Sequence, residues 1–129
     1  WDMKSGLCVQ TFYGHTNAVN NVSFNNRSDT ILSCDADGIV KLFDIRMVSE
    51  RASLEAGEYS ANSAKFDLSG KVIYVASDDG GIKVFNAETL TAEGVLAGHE
   101  EAVLDICTDA KGEYLLSASA DCTFKIWKQ

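Results

Sequence analysis

Proline is absent from this chain of 129 residues, and histidine occurs only at His15 and His99. Rigid polyproline segments and proline-marked linkers are thereby excluded, and ten glycines are left to make the turns. Cys8, Cys34, Cys107 and Cys122 form no Cys-x-x-Cys pair and are irregularly spaced, so neither a zinc site nor a disulfide framework is indicated. Buried, reduced thiols in an intracellular protein are the expectation. No apolar run approaches the roughly 20 residues that span a bilayer, and the first residues lack the basic and apolar segments of a secretory leader. No membrane role is proposed. Bases are scarce as well, with 11 Lys and Arg against 19 Asp and Glu, for a formal net charge of −8. What remains is 46% hydrophobic and 23% charged, the balance of a globular protein that can bury a core.

The sequence does contain a long repeat. Phe43, Phe85 and Trp127 stand 42 residues apart and close the runs Val40-Lys41-Leu42, Ile82-Lys83-Val84 and Phe124-Lys125-Ile126, with Trp1-Asp2 one further period upstream. Asp37, Asp79 and Asp121 keep the same phase, as do Lys41, Lys83 and Lys125, and Ser28, Gly70 and Gly112. A period of that length marks stacked units of supersecondary structure.

Within the first period, Val19 to Phe24, Thr30 to Ser33, Ile39 to Ile45 and Arg51 to Ala56 alternate or are rich in β-formers, and turn residues separate them. Asn25 to Asp29 is a loop by composition, and Asp35-Ala36-Asp37-Gly38 is a tight turn. Met47 to Glu58 could also be drawn as a short amphipathic helix, but the repeat register favours a strand. The second period repeats the strands as Ser63 to Phe66, Val72 to Ala76, Ile82 to Phe85 and Gly94 to Ala97. The third offers Val103 to Cys107, Tyr114 to Ser117 and Thr123 to Trp127, without a fourth strand. Leu7 to Phe12 reads as a fourth strand without its first three.

Gly14-His15 and Gly98-His99, each followed by a strand, a Ser-containing strand, an Asp-Gly-like turn and an aromatic ending the next strand, resemble WD40 repeats. Trp1-Asp2 and Phe43-Asp44 are the matching dipeptides. The resemblance covers essentially the whole chain and implies an all-β fold of three antiparallel propeller blades. Residues 1–12 would end a preceding blade, residues 13–56 and 57–97 would form two blades, and residues 98–129 a last blade lacking its outer strand. They would belong to a larger, seven-bladed ring. Since rings close with about four to eight blades, either further blades lie upstream or two copies assemble into a six-bladed ring.

The resemblance also implies a hydrogen-bond network in each blade, linking a His, a strand Ser, a turn Asp and a Trp. His99, Ser117, Asp121 and Trp127 supply the full set in the last unit. His15, Ser33 and Asp37 supply three members in the first, with Phe43 in the Trp position. The middle unit keeps only Asp79 and has Gly57, Val75 and Phe85 elsewhere. It is therefore expected to be the least rigid, with faster amide exchange at Val72 to Ala76 than at Val103 to Cys107. Three stretches carry a finer resemblance, to the sperm-associated antigen WD-repeat proteins of the ciliary central apparatus: Ser33 to Gly38 with Lys41-Leu42, Phe66 to Val72, and Leu96 to Glu100. That resemblance implies a noncatalytic scaffold in the axoneme of a cilium or flagellum.

Sorting charges by blade geometry places Asp35, Asp37, Glu58, Asp78, Asp79, Glu100, Glu101 and Asp121 on one rim, with no Lys or Arg among them. The other eleven acids balance the eleven bases. With Tyr13, Thr16, Asn17 and Tyr59 nearby, this rim is the candidate surface for a basic segment of an axonemal or microtubule-associated protein. It argues against nucleic acid, whose phosphates need Lys and Arg.

Catalytic readings fare worse. Both histidines are absorbed by the blade network, and a Ser117-His99-Asp121 set serves structure without exposing the serine to a cleft. Asp35-Ala36-Asp37-Gly38 resembles the start of a calcium loop, yet its twelfth position is Arg46 rather than Glu. Asp78-Asp79-Gly80-Gly81 lacks the Lys and helix that cradle phosphate, and Glu100-Glu101 would need a pocket to act as a glycosidase pair. No metal or cofactor is implied. The alternative to a scaffold is a propeller hydrolase whose catalytic residues lie in other blades.

Overall fold

Eleven strands account for all the regular structure of residues 6–129, the part described by the computed structural model. Trp1-Asp2 lies outside the described residues. Strands β1 (Val19–Phe24), β2 (Thr30–Asp35), β3 (Ile39–Asp44) and β4 (Ser49–Glu55) form one antiparallel meander. A second is built from β5 (Ala61–Phe66), β6 (Val72–Ser77), β7 (Gly81–Asn86) and β8 (Ala92–Ala97), and β9 (Val103–Thr108), β10 (Tyr114–Ser119) and β11 (Phe124–Lys128) make a three-stranded sheet. The segment drawn alternatively as a helix is strand β4. Leu7–Phe12, expected as a strand, is not one.

Even the irregularities repeat. The first strand pair slips register between Val19 and Asn21, and again between Ala61 and Ser63, 42 residues on. Bulges of this kind bend a strand and increase its twist.

The sheets stack face to face with β1, β5 and β9 side by side. Period-two alternation lets the middle sheet serve two cores. Ile73 and Val75 of β6 pack with Leu32, Cys34, Val40 and Leu42 of the first sheet. Tyr74 and Ala76, between and beyond them, pack with Val103, Ile106 and Leu115 of the third. Polar side chains stitch the layers: Asn20 Nδ2 donates to the Ala61 carbonyl, Ser23 Oγ to that of Ala64 and Asn62 Nδ2 to that of Val103, each at 2.9 Å.

This packing favours the opposite order of rigidity from the one the residues of the middle unit suggest. Ile73, Val75 and Ala76 are wholly buried in the centre of a sheet that is covered on both faces, whereas β9 lies at the edge of its sheet. Burial substitutes for the missing side-chain network. Slower amide exchange in β6 than in β9, measured by hydrogen–deuterium exchange, is the expected result, and the opposite order would mean that the network outweighs packing.

The cysteines also depart from expectation. Only Cys34 is buried, where desolvation, reinforced by the neighbouring Asp35 charge, pushes its thiol up to about 12. Cys8, Cys107 and Cys122 are exposed free thiols. Cys107 lies on the uncovered face of the last sheet and Cys122 in a surface turn.

Two apolar faces end the stack. Val19, Val22 and Phe24 are exposed at one end, and Leu104, Leu116, Phe124 and Ile126 at the other.

Candidate interaction rim and its anchors

The turn between β10 and β11 is held by a four-residue relay. A carboxylate can only accept, so His99 Nδ1 donates to Asp121 Oδ2 at 3.0 Å, and Nε2 then accepts from the Ser117 hydroxyl at 2.7 Å. Trp127 Nε1 donates to the same hydroxyl oxygen at 2.9 Å. Ser117 is buried and both its donor and acceptor roles are taken, so it is no exposed nucleophile. The Thr123 hydroxyl, backed by the Glu100 amide and His99, holds the Asp121 carboxyl well below the usual carboxylate range despite some desolvation. Thr123 was not singled out from sequence, and its signal was only that it sits two residues after the turn aspartate.

In the first sheet the partner of His15 is Asp35, not Asp37. His15 Nδ1 donates to Asp35 Oδ2 at 2.7 Å and Ser33 donates to Nε2 at 2.6 Å. Asp35 Oδ1 also accepts from the amides of Asp37 and Ile39. In the other sheets these duties are divided: Ser77 and Ser119 accept from the amides of Asp79 and Asp121, whose carboxylates reach Gly81 and Thr123. Asp35 does both jobs, so Asp37 turns outward to Asn17 Nδ2 at 2.9 Å and to the Thr16 hydroxyl. Burial raises the Asp35 pKa, but the His15 hydrogen bond and the two amides outweigh it and hold the carboxyl low. Phe43, in the Trp position, packs edge-on against Phe12 instead of donating.

The middle sheet has no imidazole at Gly57, and Lys83 takes the place of one. Its Nζ donates to Asp79 Oδ2 at 2.7 Å. Desolvation of Asp79 is outweighed by this bond, the Gly81 amide and Ser77, so its pKa too is lowered. A cation therefore does reach the acidic rim, contrary to the sequence expectation.

The loops that carry the rim converge. Gly38 lies against the Gly57 and Tyr59 carbonyls, Gly80 against those of His99 and Glu101, and Ser119 donates to the Ala102 carbonyl. Asp35 is inside, Asp79 is paired with Lys83, and Asp121 with His99. Asp37, Glu58, Asp78, Glu100 and Glu101 stay exposed on the edge, with Thr16 and Asn17 beside Asp37, and Tyr13 and Tyr59 are 84% and 57% exposed.

The WD domain, G-beta repeat family matches residues 6–44, 50–86 and 90–128. The chain belongs to the WD40 repeat family. It is 33% identical over 176 aligned residues to guanine nucleotide-binding protein subunit beta-2 of Caenorhabditis elegans, with 98% of this chain and 47% of that protein covered. To nuclear distribution protein PAC1 of Arthroderma benhamiae it is 30% identical over 138 residues, covering 98% of this chain and 30% of the relative. To the probable coatomer subunit beta' of Schizosaccharomyces pombe it is 33% identical over 126 residues, covering 95% and 16%. The chain thus spans less than half the length of these relatives. In WD40 terms, the third unit carries the complete relay, the first lacks its indole, and the middle one replaces the relay by a Lys–Asp pair and a doubly covered sheet.

Proposed function

We propose that these blades belong to a noncatalytic scaffold for protein–protein interaction that binds basic segments at the acidic rim. The observation that carries this reading is the separation of roles among the rim acids. Those that build the turns are turned inward or paired, whereas Asp37, Glu58, Asp78, Glu100 and Glu101 face solvent among Tyr13 and Tyr59. Exposed like charges with amphipathic aromatics suit a cationic peptide.

The ring would be completed by further WD40 blades rather than by a second copy. Leu104 occupies the position of the donors Asn20 and Asn62, so a second copy would set its aliphatic chain against the Val19 carbonyl, which asks for a donor. The resemblance of Ser33 to Gly38, Phe66 to Val72 and Leu96 to Glu100 to central-apparatus proteins supports placing the scaffold in the axoneme of a cilium or flagellum.

The test is retention of axonemal proteins from a ciliary extract by the full-length chain, together with titration of a lysine-rich peptide. Affinity should fall about tenfold or more from low to physiological salt, and the E58Q/E100Q/E101Q variant should lose most of that dependence. Binding indifferent to both salt and these substitutions would sink the rim reading.

A further inference from the structure

The opposite rim handles its charges the other way round. Its turns are built on Asn25, Asp67 and Asp109, again 42 residues apart. In each, one side-chain oxygen accepts from the amides four and five residues on, at 2.7 to 3.2 Å. Asp44 similarly accepts from the amides of Arg46 and Met47. Asp67, Asp109 and Asp44 each commit one carboxylate oxygen to backbone amides.

The cations are not consumed. Between the first two of these turns lies a cleft of about 680 Å³ lined by Arg27, Arg51 and Lys71. None of the three makes an ion pair among the described residues. Arg51 is aimed by a hydrogen bond from Nη1 to Oγ1 of buried Thr30, at 2.9 Å. Asp29 and Glu88 also line the cleft. Asp29 Oδ1 is occupied by Asn25 Nδ2 and the Thr30 hydroxyl, but its charge remains and acts on Arg27, so a ligand must outbid both Asp29 and Glu88.

We propose that this cleft binds a phosphorylated side chain presented by a peptide segment. A phosphate monoester brings close to two negative charges and three acceptor oxygens, enough to engage several cations at once where a carboxylate has one charge and two oxygens. The cleft is larger than a phosphate group needs, and Phe66 and half-exposed Leu68 provide an apolar wall for a neighbouring peptide residue. That wall favours a peptide over a free anion. The site is independent of the acidic-rim reading, since it uses other residues on the other edge.

The experiment is calorimetric titration of the full-length protein with a phosphoserine peptide flanked by leucines, its unphosphorylated twin, and inorganic phosphate. The phosphopeptide should bind at least about tenfold more tightly than either control, and R51Q and K71Q should each weaken it about tenfold. E100Q/E101Q should leave it unchanged. Lys71 is exposed on a turn whose cap is its own backbone amide, so K71Q reports binding without disturbing the fold. Equal binding of the unphosphorylated twin, equal binding of inorganic phosphate, or indifference to both R51Q and K71Q would overturn the proposal.

Discussion

Gly38→Ala should destabilise the chain by about 4 kcal/mol, most of what a marginally stable protein has to lose. Gly38 has a φ of 82°, and a Cβ there would stand 2.5 Å from the Gly57 carbonyl oxygen and 2.6 Å from that of Tyr59. Both obstacles are backbone, so no side-chain rotation relieves them. Gly80 is the same turn one period later, with the nearest carbonyl oxygen at 2.9 Å, and its alanine variant should be somewhat milder. Gly70 has a φ of 74° but nothing within 4 Å of a Cβ, so Gly70→Ala should show the conformational strain alone, about 1 kcal/mol. Cys122 stands where Gly38 and Gly80 stand in their sheets, with a φ of 70°. Its strain should be relieved by Cys122→Gly, a gain of about 1 kcal/mol. Urea unfolding of the four variants gives the order directly. If Gly38→Ala proved no worse than Gly70→Ala, the close approach of the two loops would be wrong.

Such turns show how far the sequence could be read. The 42-residue phase placed the strands, their antiparallel order and the equivalent turns, because hydrophobic alternation and turn chemistry are local and repeat with the unit. The resemblance to WD40 repeats implied His15, Ser33, His99, Ser117, Asp121 and Trp127 as relay members, and the fold brings them into hydrogen-bonding distance. Phase misled at Asp37, since Asp-Ala-Asp offers two carboxylates two residues apart and only backbone geometry decides which one faces His15. Sequence was equally silent on the middle sheet, where a missing network is visible in the residues and double coverage by neighbours is not. The split between free and consumed charges on the two rims was illegible for the same reason. Whether an Asp caps its own turn or faces solvent depends on amides four and five residues away, and composition counts both alike.

The relay itself should produce the second large effect, and an unequal one. Ser117→Ala removes a hydroxyl that both donates to His99 and accepts from Trp127, so it strands the buried His99 nitrogen and the partly buried Trp127 indole and should cost about 3 kcal/mol. Ser33→Ala strands only the His15 nitrogen, because Phe43 asks nothing of the hydroxyl, and should cost about half as much. Trp127→Phe converts the third relay to the composition of the first, after which Ser117→Ala should lose its excess cost in a double-mutant cycle. Acid adds an independent check. Asp35, Asp79 and Asp121 all have folded pKa values below those of an unfolded aspartate, so their contribution is complete above pH about 4 and disappears as pH falls through the lower folded values. Stability should therefore decline on acidification below that point, and Asp121→Asn should flatten the decline. Equal costs for the two serines, together with an acid limb unaffected by Asp121→Asn, would show that the blades are held by packing alone and that the relay is ornamental.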